Sequence, residues 1–231
     1  TPEQLQGDQV ASLAVPECGT KFVRGMLEDS RPQTFSDLVR ISGFSHGTNV
    51  WLDNAQDLIK NGTCKLNEAI STRDDVMNFL IHRGMDRKHS FFVMENVRKG
   101  KGIEKRNKQG QATTEFEAEM RENNIPEWFI ESCKKISYLF PRAHAVAYVM
   151  MAFRIAWFKV YHPLAFYAAY FSIRAKAFDL RIMTGDLNTQ LKEFNRIKAL
   201  DRGASPKEKD LMSALEVSME MYQRGYRFIN V

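Results

Sequence analysis

Apolar positions recur at three- and four-residue spacing over most of the chain, the period of helices with one buried face. Phe22, Val23, Met26 and Leu27 give a first amphipathic helix over 21–27. Thr34 is placed to cap a second over 35–41, where Leu38, Val39 and Ile41 are apolar. Gly43-Phe44-Ser45-His46-Gly47-Thr48 reads as a connecting loop. Asn49 then caps a third helix carrying Trp51, Leu52, Ala55, Leu58 and Ile59, which Asn61-Gly62 stops. Ser71 or Thr72 caps 74–83, and Asp74 and Asp75 suit the positive end of that helix dipole. Further helices are expected over 88–99, 115–122 and 126–139, with one or two short ones within 178–203. Ser205-Pro206-Lys207-Glu208 opens a last helix that runs to Tyr222 or Arg224, with Ser as cap and Pro at the first position. Only 226–231 has the pattern of a strand.

The most apolar stretch, 143–172, contains Arg154, Lys159 and His162 and is broken by Pro163. A central Arg or Lys costs roughly 2.5–3.5 kcal/mol in an inserting helix. The stretch is therefore read as two helices of a soluble core, 143–161 and one from Pro163, and no membrane is expected as a partner. A helix apolar on nearly all sides belongs at a domain centre, so 143–161 is expected to be the most buried helix. Trp51, Trp128 and Trp157 are expected in the core. The fold class is mainly α: a multi-helix domain with at most a short strand near the C-terminal end.

Composition narrows the setting. The 231 residues are 44% hydrophobic and 26% charged, with a formal charge of +5, which fits a globular chain and excludes a disordered or collagenous one. The basic excess permits a phosphate-bearing partner without demanding one. Residues 99–114 stand apart as a polar, glycine-containing basic loop; from Arg98 to Lys108 there are six basic residues and one acid, Glu104. Three cysteines, Cys18, Cys64 and Cys133, lie far apart with no C-x-x-C pair. Free thiols suit a reducing cytoplasm, so a cytoplasmic location is expected. A polar start without Met, and an end at Phe228-Ile229-Asn230-Val231, read as cuts through a longer protein.

Much chemistry has no motif here. There is no P-loop, no G-x-G-x-x-G, no H-E-x-x-H and no G-x-S-x-G. The five histidines share no metal-ligand spacing. Two-metal phosphoryl transfer needs converging carboxylates, and no Asp-x-Asp pair on a strand supplies them. Residue pattern alone leaves an all-helical, mildly basic module.

Two segments go further. One is Gly19-Thr20-Lys21-Phe22-Val23-Arg24-Gly25-Met26-Leu27, continued by Thr34–His46, Gly47-Thr48 and Val50-Trp51-Leu52-Asp53-Asn54-Ala55-Gln56. The other is Phe140-Pro141-Arg142-Ala143-His144-Ala145-Val146-Ala147-Tyr148, continued by Phe158-Lys159-Val160-Tyr161-His162-Pro163. Both resemble the PolC-type alpha subunit of bacterial DNA polymerase III, as do Arg98-Lys99-Gly100-Lys101-Gly102 and Ala204-Ser205-Pro206-Lys207-Glu208-Lys209. The resemblance runs from about Gly19 to Val231 and falls on the polymerase fingers. It implies a fingers region spanning 1–231, with nucleotide-facing helices and the basic loop in 1–139 and a central buried helix with C-terminal helices in 140–231. It also implies a palm bearing the catalytic carboxylates upstream of Thr1, and duplex- and clamp-binding parts beyond Val231. Residues 104–114 depart from the family as an insertion in the basic loop.

The resemblance implies that the region binds and positions the incoming deoxynucleoside triphosphate and the template for phosphoryl transfer. No catalytic residue and no metal ligand is expected in this chain. Mg2+ would be bound by the palm, and the fragment alone is expected to be inactive. Arg24 and Lys21, three apart on one helix face, are candidate phosphate contacts. Ser42 and His46 flank glycines that would let backbone approach a nucleotide. Arg142 would face phosphate, His144 and Tyr148 the nascent base pair or sugar, and Phe140 would supply an apolar wall. Arg98, Lys99, Lys101, Lys105 and Arg106 are candidate DNA-backbone contacts. Primer–template DNA, deoxynucleoside triphosphates, the sliding clamp and other replisome subunits are the implied partners. The alternative is a non-catalytic helical module that binds nucleic acid or protein.

Overall fold

The structure, a computed structural model, describes residues 10–103, 105–106, 112–114 and 116–229. It is mainly helical. The described residues divide into two compact units: Lys21–Met150, and residues 10–20 with 151–229.

In the first unit, α1 (Lys21–Ser30) packs against α2 (Phe35–His46). Thr34 and Asp37 cap α2 reciprocally: the Thr34 N–H donates to Asp37 Oδ2 at 3.0 Å and the Asp37 N–H to Thr34 Oγ1 at 3.1 Å. Of the expected loop at 43–48, residues 43–46 are in fact the last turn of α2, and only Gly47 and Thr48 lie beyond it. Gly43 makes this possible, because a Cβ there would lie 2.1 Å from Ser71 Oγ and 2.8 Å from the Ser71 carbonyl oxygen. The helix therefore continues against 71–72, close to a backbone that a side chain would push away.

The third expected helix is broken. Trp51–Ala55 is an irregular turn with Asp53 in the left-handed region, and regular helix is confined to α3 (Gln56–Lys60). Buried Asn54 holds the irregularity: its Nδ2 donates to the Asn49 carbonyl at 3.0 Å and to that of Ser132 at 3.4 Å. Next come α4 (Arg73–His82), capped by Thr72 and Asp75, and α5 (Arg87–Arg98), capped by Asp86. The basic segment expected as a loop contains a small antiparallel hairpin, β1 (Lys105–Arg106) with β2 (Ala112–Thr114). Residues 104, 107–111 and 115 lie outside the described residues.

Helices α6 (Phe116–Glu122) and α7 (Glu127–Lys135) follow. The sequence pattern extends the second of these to 139, but the chain turns extended at Ile136. Residues 137–140 then serve as a spine. The Ser137 and Tyr138 N–H groups donate to the Thr48 carbonyl, the Leu139 N–H to that of Arg98, and the Arg73 N–H to that of Phe140. Helical hydrogen bonding is exchanged here for pairing with three distant segments. The spine delivers the chain into α8 (Arg142–Tyr161).

The division between units falls within α8, after Met150. The second unit continues with α9 (Pro163–Ala169), a π-turn at Tyr170–Arg174, α10 (Leu180–Met183), α11 (Leu187–Ala199) and α12 (Pro206–Gln223). Ser205 and Glu208 cap α12 as the sequence signals. Met183, Ile197 and Leu215 form one part of its core; Phe166, Tyr167, Val217 and Met221 form another, against Leu13 and Ala14.

Two expectations fail in this unit. Residues 226–229 form no strand. Tyr226 and Phe228 instead pack against the helices, with Phe228 4.8 Å from Phe171 and 5.1 Å from Phe178 between ring centroids. Residues 230 and 231 lie outside the described residues. Nor is α8 the most buried helix: only 22% of its most apolar window is buried, and Trp157, expected in the core, is 45% exposed. An apolar surface on nearly all sides misled because α8 buries Ala145, Val149, Ala152 and Lys159 while turning large apolar residues such as Phe153 and Trp157 outward. Among the described residues, α8 is the one helix whose length and composition would let it cross a membrane. It carries Arg154 and Lys159, and Lys159 is held in a buried ion pair within the unit.

Candidate functional site

The last turn of α2 and the first two turns of α8 meet over an apolar base. Val39 on α2 and Ala145 and Val149 on α8 are buried there, with Leu38, Phe140 and Val146 packed around them. Above this base lies a tier of rings. His46 stacks on Phe140 with centroids 4.7 Å apart and planes 26° apart. Phe140 and Tyr148 are near-parallel at 6.0 Å, His46 lies 5.9 Å from Tyr148, and His144 meets the Phe140 edge at 6.0 Å. His46, His144 and Tyr148 are exposed, so the tier presents its outer side to solvent.

Backbone pairing fixes this geometry. The Thr48–Tyr138 bridge follows directly on the end of α2, and the Thr72–Phe140 bridge sets the residue that begins the tier. Gly47 permits the close crossing, since a Cβ there would lie 2.4 Å from Val50 Cγ2 and 3.1 Å from the Tyr138 carbonyl oxygen. The Arg142 N–H donates to Asp74 Oδ2 at 3.0 Å, so an acid from α4 caps the start of α8. Asp74 thereby aims the turn that carries Arg142 and His144. Its signal in the sequence was only that of an acid in the first turn of its own helix.

The structure thus brings four expected site residues, His46, Phe140, His144 and Tyr148, into one ring cluster, with Arg142 on the adjoining turn. Arg24 is half-buried and Lys21 exposed, both on α1. Ser42 is only 4% exposed, on the inner side of α2, so its hydroxyl is enclosed there. Arg40, beside it in sequence, is held by the Ala69 carbonyl at 2.8 Å and by Asp75 at 3.4 Å.

The basic set has a different character. Arg98 makes a two-pronged pair with Glu95, Nε to Oε1 at 2.5 Å and Nη2 to Oε2 at 3.0 Å, and Lys99 Nζ reaches Oε2 at 2.8 Å. These bonds, Arg98 first and Lys99 next, lower the Glu95 carboxyl to about 2. Lys101 is exposed. Lys105 and Arg106 form β1, and their side chains lie outside the described part of the structure.

Among the described residues no cluster of three His, Cys, Asp or Glu side chains is arranged for a metal ion. Among these residues no carboxylates converge on one point as a magnesium site needs. Burial pushes the Cys18 and Cys64 thiols up to about 11, so neither is a thiolate nucleophile near neutral pH.

Comparison with known proteins sets this geometry in context. The model of the bacterial DNA polymerase III alpha subunit finger domain matches residues 5–124. The PolC-type DNA polymerase III of Caldanaerobacter subterraneus subsp. tengcongensis is 55% identical over 230 residues, 100% of this chain and 16% of that protein. Its counterpart in Bacillus subtilis is 52% identical over 231 residues, 100% of this chain and 15% of that protein. The one in Thermotoga maritima is 54% identical over 231 residues, 99% of this chain and 16% of that protein. The chain therefore spans 15–16% of the length of these relatives.

Proposed function

This chain belongs to the PolC-type DNA polymerase III family and carries its finger region, and from that premise we propose that it holds the incoming deoxynucleoside triphosphate against the template during DNA synthesis. The observation that carries the reading is the convergence of His46 with Phe140, His144 and Tyr148. These rings come from segments about a hundred residues apart and share one exposed tier beside Arg142. Flat aromatic faces accept any base by stacking, which suits a site that must take four nucleotides.

Arg142, with Arg24 and Lys21 from α1, would contact the triphosphate, since fixed guanidinium groups hold phosphate oxygens by charge-assisted hydrogen bonds. His144 and Tyr148 would face the sugar and the nascent base pair, and Phe140 would back them. Arg98, Lys99, Lys101, Lys105 and Arg106 would meet the template backbone. In the whole polymerase, carboxylates outside residues 1–231 would hold the Mg2+ ions that drive phosphoryl transfer. This region contributes positioning. The partners are then primer–template DNA, nucleotides and, through other regions, the clamp and replisome, in the cytoplasm.

Two measurements test the reading. In the full-length polymerase, Arg142→Ala should lower kcat/KM for nucleotide by roughly 10–100-fold, the worth of one charged hydrogen bond. Primer–template affinity should stay unchanged. An unaltered kcat/KM removes Arg142 from the site. The 231-residue chain alone should show no primer extension with magnesium and all four deoxynucleotides. Extension by it would place the catalytic carboxylates within these residues.

A further inference from the structure

The proposed role uses the start of α8 and leaves its second half without a task. In the second unit α8 turns Ala152 and Lys159 inward, both under 5% exposed. Phe153, Trp157, Val160 and Tyr161 face outward, each 45–65% exposed. Their spacing is i, i+4, i+7 and i+8, one continuous stripe along a helix. Leu164 of α9, 66% exposed, follows them in the chain. This inverts the usual arrangement, in which large apolar side chains go in and small or charged ones face out. On the flank of the stripe, Phe158 walls a cavity of about 400 Å³ with Ile155, Phe166, Tyr170 and Ile173. Arg174 is the one charged residue lining it. Apolar patches of this kind on a protein surface mark contact sites.

Two observations bear on what covers it. First, the relatives matched over nearly the whole of this chain carry most of their polypeptide outside the matched region. Second, the N-terminal segment is pinned to this same unit. Lys159 Nζ donates to the Ala11 carbonyl at 2.9 Å and to that of Leu13 at 2.6 Å. Ala14 and Pro16 then complete the cavity wall. Upstream polypeptide is covalently joined to the unit that carries the cavity, and the resulting effective concentration favours it over any separate partner.

Resting on the reading of this chain as a finger region within a longer polymerase, we propose that the α8 stripe and its cavity form an intramolecular interface. Apolar side chains from the polypeptide that precedes Thr1 fill it. The finger region then leans on upstream chain through Phe153, Trp157 and Val160 rather than only through its covalent link.

Carbene footprinting of the wild-type full-length polymerase tests this without a substitution. Peptides covering 153–164 should be labelled at least about tenfold less than the peptide carrying Leu191 and Leu200, exposed on and beside α11. A photo-crosslinking Trp157→p-benzoylphenylalanine variant should join to residues upstream of Thr1. Labelling equal to the Leu191–Leu200 peptide overturns the proposal in favour of a separate partner or a membrane. Protection lost on dilution overturns it in favour of a second copy, and cross-links confined to residues beyond Val231 overturn the upstream assignment. Primer extension by the same sample reports on the proposed function separately, so the two ideas fail independently.

Discussion

The Lys159 ammonium lies 2.9 Å from both Glu220 carboxylate oxygens, and neither residue is more than 5% exposed. With the Ala11 and Leu13 carbonyls as further acceptors, all three ammonium protons have partners. The Tyr167 hydroxyl donates to Glu220 Oε1. Arg224 closes the network, Nη1 donating to Tyr167 Oη and Nη2 to the Lys159 carbonyl, each at 3.0 Å. Burial first, and then the Glu220 charge, push the Tyr167 phenol up, so it stays a donor near neutral pH. The network ties the N-terminal segment, α8, α9 and α12 into one unit.

Removing one member of such a pair leaves an uncompensated buried charge. Lys159→Met should destabilise the protein by about 3–5 kcal/mol. The double variant Lys159→Met/Glu220→Leu should lie closer to wild type than Lys159→Met does. Urea unfolding of the three variants decides this, and strictly additive losses would show that the two groups are not coupled.

Gly43 tests the crossing that places His46. Gly43→Ala puts a methyl group within 2.8 Å of the Ser71 backbone oxygen, which cannot swing aside as a side-chain tip can. A loss of about 1–3 kcal/mol is expected. Nucleotide KM in the full polymerase should rise as the end of α2 shifts. Wild-type stability in the variant would show that the contact relaxes freely.

Glu95 restrains two of the proposed DNA contacts. Glu95→Ala releases Arg98 and Lys99, and the log–log salt slope of DNA binding should steepen by about 1–2. The pH sign follows from a carboxyl held at about 2 against an ordinary 4.5. Its ion-pair contribution is fully present above the ordinary value and is lost progressively as pH falls from there through about 2. Affinity differences between Glu95→Ala and wild type should therefore stay flat from pH 5 to pH 8. A salt slope unchanged by the substitution would remove Arg98 and Lys99 from the DNA interface.

The candidate site was half legible in the chain itself. Phe140, Arg142, His144 and Tyr148 sit within nine residues, so any helix start there gathers them on adjoining turns. His46 joins them only because Thr48 pairs with Tyr138, a contact across ninety residues that no local pattern encodes. Ser42 was less legible for a related reason: it precedes the stretch read as loop, yet as the eighth residue of a twelve-residue helix it is buried.

Local physics decided what the sequence determined by itself. Caps such as Thr34-Phe35-Ser36-Asp37 and Ser205-Pro206-Lys207-Glu208 act over three residues, and helical periodicity over a turn or two, so mainly helical architecture and several helix starts follow from the chain alone. Tertiary structure decided where helices stop and which faces are covered. The expected 126–139 helix ends at Lys135 because 137–140 bonds to Thr48, Arg73 and Arg98. Trp157 and Phe153 are as apolar as any core residue, yet they lie outside. Hydrophobicity states only that a side chain prefers to leave water, and the partner that removes it from water is set by which surfaces the fold brings near.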